Sequence, residues 1–169
     1  KILPIKVCSG GYCSDSAILD GLQYALENGA QVLNLSLGGI CAEPADRRLA
    51  RLQADAVALA GVTMCVASGN EHCQELKPNE AGTPGDIPPP WISPDQPVLG
   101  LSSGVTTVGA TEYMSFAIAP FSSQGPVDWS QTDVPYGDWP LCHPITPHVG
   151  LIKPDISAPG SDIASLRSS

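Results

Sequence analysis

Three short apolar runs, each stopping at a small, glycine-containing stretch, constrain this chain more than anything else in it. They occupy residues 2–7, 31–35 and 62–67. They give way to Cys8-Ser9-Gly10-Gly11, Ser36-Leu37-Gly38-Gly39 and Ser68-Gly69-Asn70, respectively. The segments between them carry helical patterning. Ser14-Asp15-Ser16 offers N-caps, Ile18, Leu19, Leu22, Ala25 and Leu26 fall on one face, and Asn28-Gly29 supplies a stop. Pro44 then stands near a second helix start, Leu49, Leu52, Ala56 and Leu59 form its stripe, and Gly61 closes it. The order is β-α-β-α-β. Helical crossovers imply parallel strands, buried on both faces and therefore near-continuously apolar. In such sheets ligands bind beyond the carboxyl ends of the strands, which here lack bulky side chains.

The second half is less regular. Residues 105–108 predict a strand, 116–119 a candidate strand, and Ile156 leads through the turn Ala158-Pro159-Gly160 to Ile163. Two Pro-rich stretches, near 72–100 and 126–150, read as long loop insertions into one domain spanning residues 1–169. With 43% hydrophobic residues in 169, the chain can build a core, and its 17 Gly and 17 Pro suit shaped loops. It starts within an apolar segment and stops on Leu166-Arg167-Ser168-Ser169, so a fold incomplete at both ends is expected.

The formal charge of −9, with only 8 Lys and Arg, argues against nucleic acid as a partner. Arg47, Arg48 and Arg51 share a helix and read as a solvated face. No run approaches the roughly 20 apolar residues of a membrane span. Six cysteines favour an oxidising compartment. Cys8 and Cys13 flank a Gly-rich turn they could staple, Cys41 and Cys73 could meet if their strand ends are neighbours, and Cys65 reads as a buried thiol. No C-x-x-C pair supports zinc. His72 and Cys73 are adjacent and cannot easily present both groups to one carbonyl, which disfavours a Cys-His nucleophile. Neither G-x-G-x-x-G nor G-x-x-x-x-G-K-[ST] opens a helix, which disfavours a nucleotide site.

In chain order, "KVCSGGYCSDSAILDGLQYALENGAQVLNLSLGG", "GVTMCVASGN", "VTTVGATE", "FSSQGP" and "IKPDISAPG" resemble the catalytic domain of subtilisin-like serine proteases. The resemblance implies a three-layer α/β/α domain with a mostly parallel sheet. It implies a secreted serine endopeptidase that cleaves peptide bonds through an acyl-enzyme. The family's triad runs Asp, His, Ser along the chain, and none of its three motifs occurs here. This stretch is therefore expected to be an internal piece, inactive alone. "ITPHVG" imitates the family's post-nucleophile residues, but His143 stands where the serine would be and the segment precedes "IKPDISAPG" instead of following it.

By the same resemblance Asn70 is the oxyanion donor, a neutral amide suited to stabilising charge without itself ionising. Taken alone, Gly69-Asn70 would read only as a turn. Ser36, Leu37, Gly38 and Gly39 resemble the edge that pairs with a peptide or protein substrate, and Gly10, Gly11 and Tyr12 the opposite edge. Ala67, Ser68 and Gly69 would form a pocket wall and Gly82 its floor. The alternative for these glycines is that they only permit turns. No cofactor is required. A structural calcium would use Asp155 with carbonyls near Ser103 and Val105, and a structural role for Asp155 at the following turn is the alternative. Asp86, Asp95, Asp128, Asp133 and Asp138 read as solvated loop residues. The competing class is a non-catalytic pseudoprotease module for peptide binding or scaffolding. Bare sheet surface in an incomplete domain implies self-association.

Overall fold

The computed structural model describes residues 1–39, 44–72, 81–87, 104–125, 127 and 152–164. Most of the two expected loop insertions, the Cys41–Cys73 pairing and the three tryptophans lie outside the described residues.

Among the described residues the chain forms six strands and two helices. A hairpin, β1 (Cys8–Ser9) and β2 (Tyr12–Cys13), precedes α1 (Asp15–Glu27). Then come β3 (Val32–Leu35), α2 (Pro44–Leu59), β4 (Thr63–Ala67), β5 (Val105–Glu112) and β6 (Ile156–Ser161). The last four strands form one sheet in the order β3-β4-β5-β6, every pair parallel. The α/β architecture and its parallel sheet are as the sequence implied.

Local chemistry explains α1. The Ser14 side chain accepts from Ala17 N at 3.3 Å, Asp15 opens the first turn, and Asn28 and Gly29 end the helix, Gly29 at φ 73°. Leu22 and Ala25 are buried, Ile18 and Leu26 pack against the core, and Leu19 stays exposed. The first apolar run does not enter the sheet. Pro4 withdraws a ladder donor, and Ile5 and Val7 lie instead against Gly21 of α1, where a Cβ would collide with Val7.

Helix α2 presents another face than expected. Leu49, Leu52, Ala56 and Leu59 are exposed, whereas Arg51, Ala54, Asp55 and Val57 are buried. Arg51 is thus no solvated residue. Its Nε donates to Asp55 Oδ1 at 2.7 Å, one helical turn along, which is how so polar a face can enter a core. Burial raises the Asp55 pKa above the ordinary carboxylate value, and the Arg51 charge and hydrogen bond counter part of that shift.

Leu22, Ala25, Ala54, Val57, Leu33, Leu35, Met64, Val66 and Val105 belong to one cluster, so both described helices cover the same sheet face. Burying each of the larger of these side chains is worth about 1.5–3 kcal/mol. The opposite face is open at β3 and β4, where Val32, Asn34, Thr63 and Ala67 are exposed. These two strands therefore alternate buried and exposed, and are not buried on both faces.

Two other expectations change. β5 runs to Glu112, four residues further than predicted, while 116–119 forms no strand. Met114 and Phe116 have φ of 75° and 57°, so the chain turns there, and Ile118 pairs back to Thr111 as a single bridge. Residues 158–160 are part of β6, not a turn.

Candidate active site

The sheet brings the carboxyl ends of β3 and β4 side by side, with Leu35 opposite Val66. Residues 81–87 fold across both ends. Gly39 and Thr83 exchange two backbone hydrogen bonds, at 3.1 and 2.8 Å, and Gly82 N donates to Ser68 O at 2.9 Å. The approach is close. A Cβ on Gly38 would stand 3.1 Å from Thr83 O, and one on Gly82 3.2 Å from Gly39 O. Of the predicted site residues, Gly38, Gly39, Ser68, Gly69, Asn70 and Gly82 are therefore brought together.

Leu37 is half-buried against the core, Ser36 and Ala67 are exposed, and Ser68 is buried. Asn70 is exposed just beyond β4, at the position expected for a group that meets a ligand. Gly69 precedes it with φ 112°, a conformation few side chains tolerate. The Glu71 carboxylate and Ser123 Oγ both occupy the space a Cβ on Gly69 would need.

Gly10, Gly11 and Tyr12 lie on the hairpin, in a sheet of its own. Ser9 pairs with Tyr12, so Gly10 and Gly11 are the two central residues of a tight turn, at φ 60° and 82°. A two-residue hairpin of this sign requires positive φ at both positions. Nothing lies within 4 Å of a Cβ on either glycine, and Tyr12 is exposed. Turn geometry accounts for both glycines. The expected Cys8–Cys13 disulfide is formed and closes the hairpin. Cys65 is a free thiol and only half-buried.

Sequence reasoning missed the residues that hold the Asn70 turn. Asn70 N donates to Glu71 Oε2 at 2.6 Å, and Ser123 Oγ donates to the same oxygen at 2.7 Å while accepting from Glu71 N at 3.0 Å. Ser123 N donates to Gly69 O at 3.1 Å. The neighbouring Ser122 serves the sheet instead: its Oγ accepts from Ala110 N at 2.9 Å and lies 3.5 Å from Ser68 Oγ. Both serines stand in the "FSSQGP" stretch, but nothing in its spacing announces a contact with residue 71.

It also missed a buried polar bridge behind residues 81–87. Lys153 Nζ donates to Asp155 Oδ2 at 2.6 Å and to Thr107 Oγ1 at 2.8 Å, and Thr107 Oγ1 donates to Gly85 O at 2.5 Å. Asp155 Oδ2 accepts from Thr107 N as well, at 2.7 Å. Asp155 is therefore committed to a lysine and a strand amide. Its carboxylate joins the two sides of the β5–β6 junction, and among the described residues no cluster of three or more His, Cys, Asp or Glu gathers. Asp86 is buried rather than solvated, with Oδ2 accepting from Thr83 Oγ1 at 2.8 Å. Burial pushes the Lys153 pKa down to about 8, against the upward pull of Asp155 and Asp86.

The whole chain, residues 1–169, matches the subtilase family, peptidase S8, and belongs to it. No curated protein sequence matches it significantly. Among solved structures, sphericase is similar at 19% identity and TM-score 0.57, and the S41 psychrophilic protease at 23% and 0.54. Each match covers 89% of this chain and 40% of that structure. A lanthipeptide protease is similar at 20% identity and TM-score 0.54, over 72% of this chain and 34% of that one. The chain thus spans two fifths or less of the length of these proteases, and the likeness establishes the subtilisin-like fold.

Proposed function

We propose that this chain is part of the catalytic domain of a secreted subtilisin-like serine endopeptidase, and that Asn70 is its oxyanion donor. The observation that carries the reading is the setting of Asn70. It stands exposed at the carboxyl end of a core strand of a subtilase chain, on a turn hydrogen-bonded from Gly69 through Glu71. A side-chain amide carried on a backbone held in this way is suited to stabilising negative charge on a scissile carbonyl oxygen. Gly39 spends both backbone groups on Thr83, which leaves Ser36, Leu37 and Gly38 to pair with a substrate main chain as an added strand. Attack and proton transfer require a serine and a histidine from the rest of the domain. The 169 residues alone are accordingly inactive, and their Cys8–Cys13 bridge suits an oxidising, extracellular setting.

The test is Asn70→Ala in the enzyme that contains this chain. The expected loss in kcat is about 10²–10³, with KM little changed; that magnitude is the one known for the oxyanion asparagine of a subtilisin itself. Unchanged kcat would remove Asn70 from the mechanism. Turnover by the isolated 169-residue chain, abolished by a serine-directed inhibitor, would overturn its inactivity.

A further inference from the structure

We propose that Ser123 is the positioning residue of the Asn70 turn, acting both directly and through Glu71; its catalytic consequence rests on the oxyanion reading of Asn70. Ser123 is fully buried, and its backbone and hydroxyl meet three groups of residues 69–71. Its N–H holds the Gly69 carbonyl. Its Oγ takes the Glu71 N–H and returns its own proton to Glu71 Oε2, the oxygen that receives the Asn70 N–H. Three consecutive backbone polar groups are thus satisfied by one serine and the carboxylate it steers. The Asn70 N–H and the polar groups on either side of it are thereby held.

The hydroxyl is specifically required. It must accept one hydrogen bond and donate another to the same residue, 52 positions away. Alanine does neither, whereas threonine keeps both functions. The carboxylate is required for a related reason: it takes two donors on one oxygen, which also disperses negative charge beside a turn that is to receive more. Ser122 provides an internal comparison. It is equally close in sequence and is also buried, yet it bonds Ala110 rather than the turn.

The experiment is amide hydrogen exchange, followed by NMR on the 169-residue chain. In Ser123→Ala, the amides of Asn70 and Glu71 should exchange roughly tenfold faster or more, the equivalent of one net hydrogen bond. Those of Val66 and Val108 should keep their protection, and Ser123→Thr should restore residues 70 and 71. Ser122→Ala should spare the turn and expose Ala110. If Ser123→Ala does not fold, Glu71→Ala removes the acceptor of Asn70 N–H and should accelerate the Asn70 amide alone. Unchanged exchange at 70 and 71, or an equal loss throughout β4, would overturn the proposal. In the full enzyme, Ser123→Ala should lower kcat with KM held, and add little once Asn70 is alanine. Faster exchange with full kcat would leave Ser123 as the positioning residue of the turn and refute its catalytic consequence, while kcat of Asn70→Ala decides the role of Asn70 separately.

Discussion

At the scale of single residues, Lys153 carries the clearest consequence. Its ammonium is enclosed between Asp155 and Thr107, and burial lowers its pKa from 10.5 to about 8. Below pH 8 the native and unfolded chains both hold the proton, and the cost of burying it is fully present. Between about 8 and 10.5 the unfolded chain binds a proton that the native chain has released, so stability rises with pH across that window. The gap corresponds to about 3 kcal/mol. Urea unfolding from pH 7.5 to 10.5 should show this rise relative to Lys153→Met; parallel profiles for the two proteins would refute the assignment. That Asn70 stands at a strand end was legible in the sequence, because an apolar run stopping at Ser-Gly-Asn is a local pattern; the role given to it came from the family resemblance alone. Ser123 and Lys153 were not legible, because their partners are 52 and 46 residues away and no periodicity encodes such pairings.

At the scale of elements, helix and strand existence was readable wherever caps and apolar runs coincide, as from Ser14 to Asn28-Gly29. The orientation of α2 was not. Leucines define its apparent apolar stripe, yet small residues and an ion pair face the sheet, because Ala54, Val57 and Ala58 allow close approach to Met64 and Gly104. Hydrophobicity scores cannot register that Arg51 and Asp55 neutralise each other. Arg51→Leu should therefore destabilise the chain by about 3 kcal/mol at neutral pH, although it adds an apolar side chain, because Asp55 is left charged in the core. Asp55 already has a raised pKa, so its native state takes up a proton before the unfolded chain does. The deficit of Arg51→Leu should shrink as pH falls. Thermal melts of both proteins at pH 8 and pH 5 give the comparison, and a deficit independent of pH would exclude this cause.

At the scale of the whole molecule, the described sheet ends in two strands with no further partner among the described residues, β3 and β6. Val32 and Ile156 are exposed there, at 63% and 50%. Such edges pair with other copies unless something opposes it. The opposing term is the charge of −9, which salt screens. Light scattering should thus show the 169-residue chain associating more strongly in 0.5 M salt, on the order of a 4 Å Debye length, than in dilute buffer. A monomer under both conditions would show that the edges are protected. The tie between residues 71 and 123 bears on a different property of the molecule. The β4–β5 ladder already closes most of the chain between them, since Ala67 pairs with Val108, so the tie itself orders only the short segments beyond the strand ends. Losing the tie therefore leaves every ladder from β3 to β6 in place, with Ser122 still bonded to Ala110 and Gly125 to Lys153. The order of the Asn70 turn and the pairing of the sheet are then two separate quantities, and a variant can lose the first while keeping the second.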